Sequence, residues 1–326
     1  MKYVKLGRTG LKVSRFVLGS MQMGWIINEE ESHKILDAAI DAGLNTIDTA
    51  DIYSKWGDNS YAGKSEEIIG TWIKDRGSRD DIVLATKLRG DVSDRPNDVG
   101  LSRKHVLESA RRSCFRLNTD FIDLYWSHFP DSDTPQEETL RAFTKLIDDG
   151  VVHYIGASNH TGVELVESLW VSDRYNLARY DAVQNPYSLA RRRDYEKDLL
   201  PVVTKYGFGV TSYSPLGGGF LTGRYAKDRI PDSKRAESTK TRYFKDRNFR
   251  TVEVLEKLAT EKDMTPVQVA LAWVLSKETI TAPIIGVNSV EQLKHNLSAL
   301  EVKLSEDDLR QLDDVSDWSE MDFEAR

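Results

Sequence analysis

Cysteine is almost absent from this chain. Among 326 residues there is one, Cys114, which excludes an intramolecular disulfide and any zinc site built from several thiolates. Long apolar runs are missing as well: the most extended, over 267–275, is broken by Gln268 and is too short to cross a bilayer. The opening MKYVKLGRTG lacks the apolar core of a secretion signal, so the cytoplasm is the expected location and no membrane partner is expected. Nor is there a basic excess. Lys and Arg number 45 against 52 Asp and Glu, a net charge of −7, which argues against a nucleic-acid partner. No HExxH pair occurs, so no metal site is expected. Two glycine-rich stretches fail as nucleotide fingerprints. GDNSYAGKS (57–65) spaces its glycines by five residues where a P-loop needs four, and GGGFLTG puts Thr222 where a dinucleotide fold needs glycine.

Aromatic residues, by contrast, are plentiful, with 7 Trp, 13 Tyr and 10 Phe, which is incompatible with a disordered chain. Eight short runs rich in Val, Ile, Tyr or Phe read as strands: 16–19, 46–48, 82–87, 121–128, 154–158, 182–185, 209–214 and 281–286. Between them lie amphipathic helical patterns, such as Leu107, Ala110, Cys114 and Leu117 on one face and Val290, Leu293, Leu297 and Leu300 on another. Ser102, Thr161 and Ser289 stand where helix N-caps are needed, and Gly43 and Gly150 where helices stop. Strand–helix alternation repeated eight times calls for parallel strands with crossover helices. An open doubly wound sheet and a closed cylinder both satisfy it; eight similar units without a linker favour an α/β (β/α)8 TIM barrel, expected as one domain over 1–326. KYVKLG and LKVSRF, joined across Arg8-Thr9-Gly10, read as an N-terminal β-hairpin that plugs the barrel bottom. The stretch 215–248 has no clear pattern. Residues 227–250 carry nine Lys/Arg against four Asp/Glu, a basic segment on an acidic protein that reads either as a solvated loop or as a flap over an anionic ligand.

In a parallel barrel, chemistry gathers at the C-terminal strand ends. Here those ends carry Asp48 and then Tyr53 (TIDTADIY), Lys87 (IVLATK) and His128 (FIDLYWSHF). They also carry Ser158-Asn159, Gln184, Tyr213-Ser214 and Gly286 with Asn288. A carboxylate, an ammonium and a phenol at one apolar mouth are costly unless they satisfy each other. Asp48 can pair with Lys87, and an ammonium beside Tyr53 is expected to lower the phenol's pKa from about 10, making it a general acid. Trp25, Trp56 and Phe129 follow strand ends and are expected to line a substrate pocket.

The chain resembles an aldo-keto reductase over nearly its whole length. The likeness rests on LGRTGLKVSRFVLGS, DAGLNTIDTADIYS, ATK, DLYWSHFPD, GASNH, SYSPLGGGFLTGRY and PIIGVNSVEQLKHNL, in that order. It implies a catalytic tetrad of Asp48, Tyr53, Lys87 and His128 in an oxidoreductase that reversibly reduces an aldehyde or ketone, sugars among them. Hydride would come from NAD(P)H, and Tyr53 would protonate the carbonyl oxygen. It implies that Ser158, Asn159 and Gln184 hold the nicotinamide carboxamide and that Tyr213 stacks on its ring. Ser214, Leu216, Gly217 and Gly218 would cradle the pyrophosphate, with Arg224 nearby. Gly286, Asn288, Gln292 and Asn296 would hold the adenosine end, and Ser20 and Met21, after strand one, are also assigned to the cofactor. NADP is the expected cofactor by family habit. NAD is the alternative, because Val287, Asn288 and Ser289 are neutral and Gln292 stands where Arg is common. The alternative function is a cofactor-binding regulatory subunit of the channel-β type with little turnover.

Overall fold

The computed structural model describes residues 1–58 and 60–319. An antiparallel hairpin, β1 (Tyr3–Lys5) and β2 (Lys12–Ser14), precedes eight parallel strands. These are β3 (Val17–Gly19), β4 (Thr46–Asp48), β5 (Val83–Leu88), β6 (Ile122–Ser127), β7 (Val152–Ser158), β8 (Ala182–Gln184), β9 (Gly209–Val210) and β10 (Ile284–Gly286). They pair in chain order from β3 to β9, and β10 pairs with β3. The two ends of the sheet meet as well. Ala282 N donates to Val210 O at 3.1 Å and Ile284 N to Ser212 O at 2.7 Å, so the curl closes into the (β/α)8 barrel. All eight expected strands are present, shortened at several ends.

Period-two alternation decides which side chains see the barrel axis. In β5, Val83 and Ala85 join an inner cluster with Leu124, Trp126 and Ala182, whereas Leu84 and Leu88 pack outward among the helices. The inward parity, continued to the C-terminal end, places Lys87 on the axis. The same count places Asp48 (after Thr46), His128 (after Leu124 and Trp126), Ser158 (after Gly156) and Gln184 (after Ala182) on the inner face at the mouth. Outward residues meet the helices as their patterns require. Ser102 caps its helix by accepting from His105 N at 3.3 Å. Thr161 forms a reciprocal capping box with Glu164, and Ser289 accepts from Gln292 N at 3.3 Å. Gly43 and Gly150 end their helices in the left-handed region, at φ 84° and 74°.

The hairpin does close the bottom. Fully buried Leu6 belongs to the inner cluster with Val17, Val83 and Ile284, and Arg8 N donates to Gly207 O at 3.0 Å. The turn lies so close to β9 that a Cβ on Gly7, at φ +57°, would sit 2.2 Å from Gly209 N.

One expectation needs correction. The stretch 215–248 is not a structureless loop: helices run over Ala236–Tyr243 and from Asp246 to Glu261. The first escapes periodicity analysis because it has only eight residues and buries just Thr239 and Tyr243, whereas the second carries a readable apolar face of Val252, Leu255, Leu258 and Ala259 beyond the stretch. Aromatic packing holds the segment instead, with Phe220, Tyr225, Tyr243, Phe244 and Phe249 in one cluster and the Phe244 and Phe249 rings 5.1 Å apart.

Gly7→Ala should lower stability by about 2 kcal/mol or more, since it combines backbone overlap with a left-handed φ. Urea unfolding measures this, and an unchanged midpoint would mean that the hairpin is not seated on β9.

Candidate active site

The ladder between β4 and β5 continues past the strand ends. Thr49 N donates to Ala85 O at 2.9 Å and Asp51 N to Lys87 O at 3.1 Å, which pins the TAD segment beside Lys87 before the chain turns away. Tyr53 then folds back over the mouth. Its N–H donates to Ala50 O at 3.2 Å, and the next residue, Ser54, takes φ 77° while its hydroxyl donates to Met23 O at 2.7 Å.

Lys87 is fully buried, and its ammonium has three partners. It forms an ion pair with Asp48 Oδ1, donates to Thr49 O at 2.7 Å and donates to the Tyr53 hydroxyl oxygen at 3.1 Å. All three ammonium hydrogens are thus engaged. Because the lysine donates to the phenol oxygen, the phenol's own hydrogen is left for a ligand. The other Asp48 oxygen accepts from Gln184 Nε2 at 2.9 Å. His128 faces Tyr53 with ring centroids 6.0 Å apart, and its buried Nδ1 has no hydrogen-bond partner among the described residues.

Burial reverses one expectation about these groups. It raises the Tyr53 pKa, and although Lys87 pulls the other way, the net shift is upward from 10.0. The phenol is held protonated rather than acidified, because desolvating a phenolate outweighs the neighbouring ammonium. For Lys87, burial pushes the pKa down, but Asp48 and Tyr53 more than offset it, and the ammonium stays charged. Burial, helped by the cations Lys87 and Arg89, holds His128 well below the usual imidazole value, so it is neutral at pH 7.

The other expected residues form two groups. Ser158 Oγ donates to Gln184 O at 2.8 Å, Asn159 Nδ2 to His128 O at 2.9 Å, and the Tyr213 hydroxyl to Asn159 Oδ1 at 2.7 Å. One hydrogen-bonded net therefore ties these residues to the tetrad. Ser20 is buried behind it, donating through Oγ to Asp48 O at 3.0 Å, and Met21 is half-buried. Trp25 and Trp56 meet edge-on at 5.8 Å, Trp56 meets Tyr53 at 6.1 Å, and Phe129 stacks on His128 at 4.9 Å, so the three form an aromatic wall at the mouth. The second group is not joined to the tetrad. Gly286, Asn288, Gln292 and Asn296 gather at the end of β10, two strands from β4, where Asn288 N donates to Gln292 Oε1 at 2.9 Å. Ser214 and Gly217 to Gly219 all take left-handed φ at the end of the β9 segment, next to Leu216, and Arg224 lies exposed beyond them.

Among single residues, Arg235 escaped the sequence reading. It sits near Tyr53, Tyr225 and Tyr243, burial lowers its pKa, and it has no ion pair among the described residues. The only signal was its place in the basic segment.

The family model for the aldo/keto reductase family matches residues 15–317. The chain belongs to the aldo/keto reductase family. Its relatives carry two kinds of name. An uncharacterized oxidoreductase of Bacillus subtilis (strain 168) is 39% identical over 322 residues, covering 97% of this chain and 96% of that protein. Protein tas of Escherichia coli (strain K12) is 32% identical, covering 97% of each. A rice protein (Oryza sativa subsp. japonica) named "Probable voltage-gated potassium channel subunit beta" is 37% identical, covering 93% of this chain and 92% of that protein.

Removing one member of the buried pair of this aldo-keto reductase leaves the other charged and unmatched. Lys87→Met should therefore lower stability by about 3–5 kcal/mol, and adding Asp48→Asn should restore part of the loss. A double-mutant cycle in urea checks this, and additive effects would show that the pair is not coupled.

Proposed function

We propose that this aldo-keto reductase reduces an aldehyde or ketone to an alcohol, reversibly, with NAD(P)H as the hydride source and Tyr53 as the proton donor. The observation that carries the reading is the Tyr53 hydroxyl, which accepts from the Lys87 ammonium and keeps its own hydrogen free in front of neutral His128.

Residues present at the mouth fit a dinucleotide. Ser158, Asn159 and Gln184 offer amide and hydroxyl groups to a carboxamide, and Tyr213 offers an aromatic face. Gly217, Gly218 and Gly219, at φ 58°, 66° and 100°, allow close backbone approach by a diphosphate. Arg235 and Arg224 can supply charge to the same group. Gly286, Asn288, Gln292 and Asn296 would take the adenosine end, with Ser20 and Met21 at the tetrad side. NADP is proposed over NAD on family habit and on the cationic flap, against the neutral residues that follow β10. The cofactor supplies a hydride when bound; everything else falls to the chain. Trp25, Trp56 and Phe129 exclude water from the mouth. His128, neutral and with a free ring nitrogen, orients the carbonyl oxygen toward Tyr53. Tyr53 gives up its proton as negative charge develops on that oxygen, and Lys87, locked by Asp48, stabilises the phenolate that results.

A second reading, a regulatory subunit with little turnover, rests on the channel-β names among the relatives. A complete Asp–Tyr–Lys–His set favours turnover here.

Tyr53→Phe should cut carbonyl reduction by about 10²–10⁴-fold with little change in cofactor affinity. Undiminished turnover would exclude the tyrosine as donor, and cofactor binding without turnover of any carbonyl by the parent would favour the regulatory reading. Separate fluorescence titrations with NADPH and NADH decide the cofactor. The pH profile follows from the two shifts. The acid form of Tyr53 persists up to and beyond its ordinary value of 10.0 because its pKa is raised, while His128 stays neutral at and above 6.5 because its pKa is depressed. Reduction should therefore be flat between these values and fall only above pH 10; a fall centred near neutrality would contradict the assignment.

A further inference from the structure

Arg89 lies one residue beyond β5 and two beyond Lys87, in reach of the tetrad yet unused by the mechanism. Its backbone takes φ 107°, a left-handed conformation that only glycine adopts without strain. Such strain in an L-residue persists where surrounding structure enforces it, and it concentrates at ligand sites. The guanidinium is half-buried and lies 5.9 Å from the Phe129 ring centroid, on the same side of the mouth as His128. Its Nε is buried without an acceptor, and no hydrogen bond or ion pair satisfies any of its N–H groups among the described residues.

Asp131 feels the Arg89 charge, but its oxygens and those of the other carboxylates after β5 are taken by other donors. Asp131 accepts from Leu101 N at 2.7 Å, Thr134 Oγ1 at 2.8 Å and Asp133 N at 3.1 Å. Asp91 accepts from Lys55 at 3.0 Å, and Asp98 from Ser93 at 2.6 Å and Arg112 at 3.0 Å. A planar cation with five donors, half-buried and without a hydrogen-bonded acceptor among the described residues, is matched by an oxyanion that can accept two parallel bonds. Strand order separates this cation from the residues proposed for the cofactor: Arg89 follows β5, whereas those residues follow β7 to β10 and β3. Beside it stand the aromatic walls, Phe129 on His128 and Trp56 on Tyr53.

We propose that Arg89 is a specificity-determining residue and that the preferred substrate is an aldehyde or ketone carrying an anionic oxygen group, carboxylate or phosphate, on an apolar body. This rests on the carbonyl-reductase reading and deepens it. The carbonyl lies between Tyr53 and His128 while the anion accepts from Arg89, so binding energy remote from the reacting carbon sets its orientation.

The test compares charged and neutral forms of one substrate: para-carboxybenzaldehyde against its methyl ester, and glyceraldehyde phosphate against glyceraldehyde. The parent enzyme should favour at least one anionic form by about 10- to 100-fold in kcat/KM, mainly through KM. The two arms decide between carboxylate and phosphate. Arg89→Gly, which suits the left-handed backbone, should melt no lower than the parent and bring the ratio close to one; Arg89→Lys should retain part of it. Equal kcat/KM for charged and neutral forms in the parent, or a preference that survives in Arg89→Gly, overturns the proposal. A binding arm separates this from failure of the reductase reading. Tryptophan fluorescence is titrated with para-carboxybenzyl alcohol and with its methyl ester. Tighter binding of the acid that is lost in Arg89→Gly, with no turnover of any carbonyl, would uphold the anion site and overturn the reductase; equal binding would overturn the anion site.

Discussion

An ammonium with no exposed surface, held at the open end of an apolar cylinder, is the constraint around which this protein is arranged. Lys87 can remain charged there only because Asp48 faces it and because the Thr49 carbonyl and the Tyr53 oxygen accept its other hydrogens. Each partner is in turn fixed by something else. Asp48 is held by Gln184 from the opposite part of the barrel, Thr49 by the extended pairing of β4 with β5, and Tyr53 by the turn that begins at Ala50. The catalytic geometry is therefore a consequence of satisfying one buried charge, and the barrel supplies the satisfiers from strands distant in sequence.

The electrostatics of the mouth follow from the same burial. Desolvation keeps the Tyr53 proton on and the His128 proton off, so that the proposed donor and the proposed orienting group are both neutral, between the charged Lys87 and Asp48. Around them stand two further cations without an ion pair among the described residues, Arg89 and Arg235. A chain of net charge −7 thus places cations with unfilled hydrogen-bonding capacity at one opening, and low-dielectric walls strengthen their pull on anions. We propose the dinucleotide as the ligand of Arg235 and the substrate as that of Arg89. In a family whose members carry both oxidoreductase and channel-subunit names, chemistry of this kind separates one protein from another more sharply than the fold does.

Much of this was legible without coordinates. Short strands bounded by capped helices spell out a barrel because period-two and period-3.6 patterns are local, and caps and glycine stops are chemical requirements of each helix end. Asp48, Lys87 and His128 could be selected because a charged or titratable residue that ends an apolar strand in a parallel barrel has one place to go. The flap was less legible: the helix over Ala236–Tyr243 buries too few apolar residues to show a stripe, and the aromatic cluster that holds it draws on Phe220 and Tyr225 outside that helix.

The sequence by itself determined the number of strands, their order along the chain and which polar residues end them, since these follow from local spacing, while their order and closure around the cylinder were decided by the fold. Tertiary structure alone decided the sign of the Tyr53 shift, because that is a contest between burial and a neighbouring charge, and burial is not written in any local pattern. It decided too that the Arg89 guanidinium has no hydrogen-bonded carboxylate, which required knowing that the oxygens of Asp131, whose charge it feels, are taken by Leu101, Asp133 and Thr134. Hydrogen-bonding capacity is limited: an oxygen saturated by one set of donors has no lone pair to spare for the next, and only the folded arrangement shows which donor is left over.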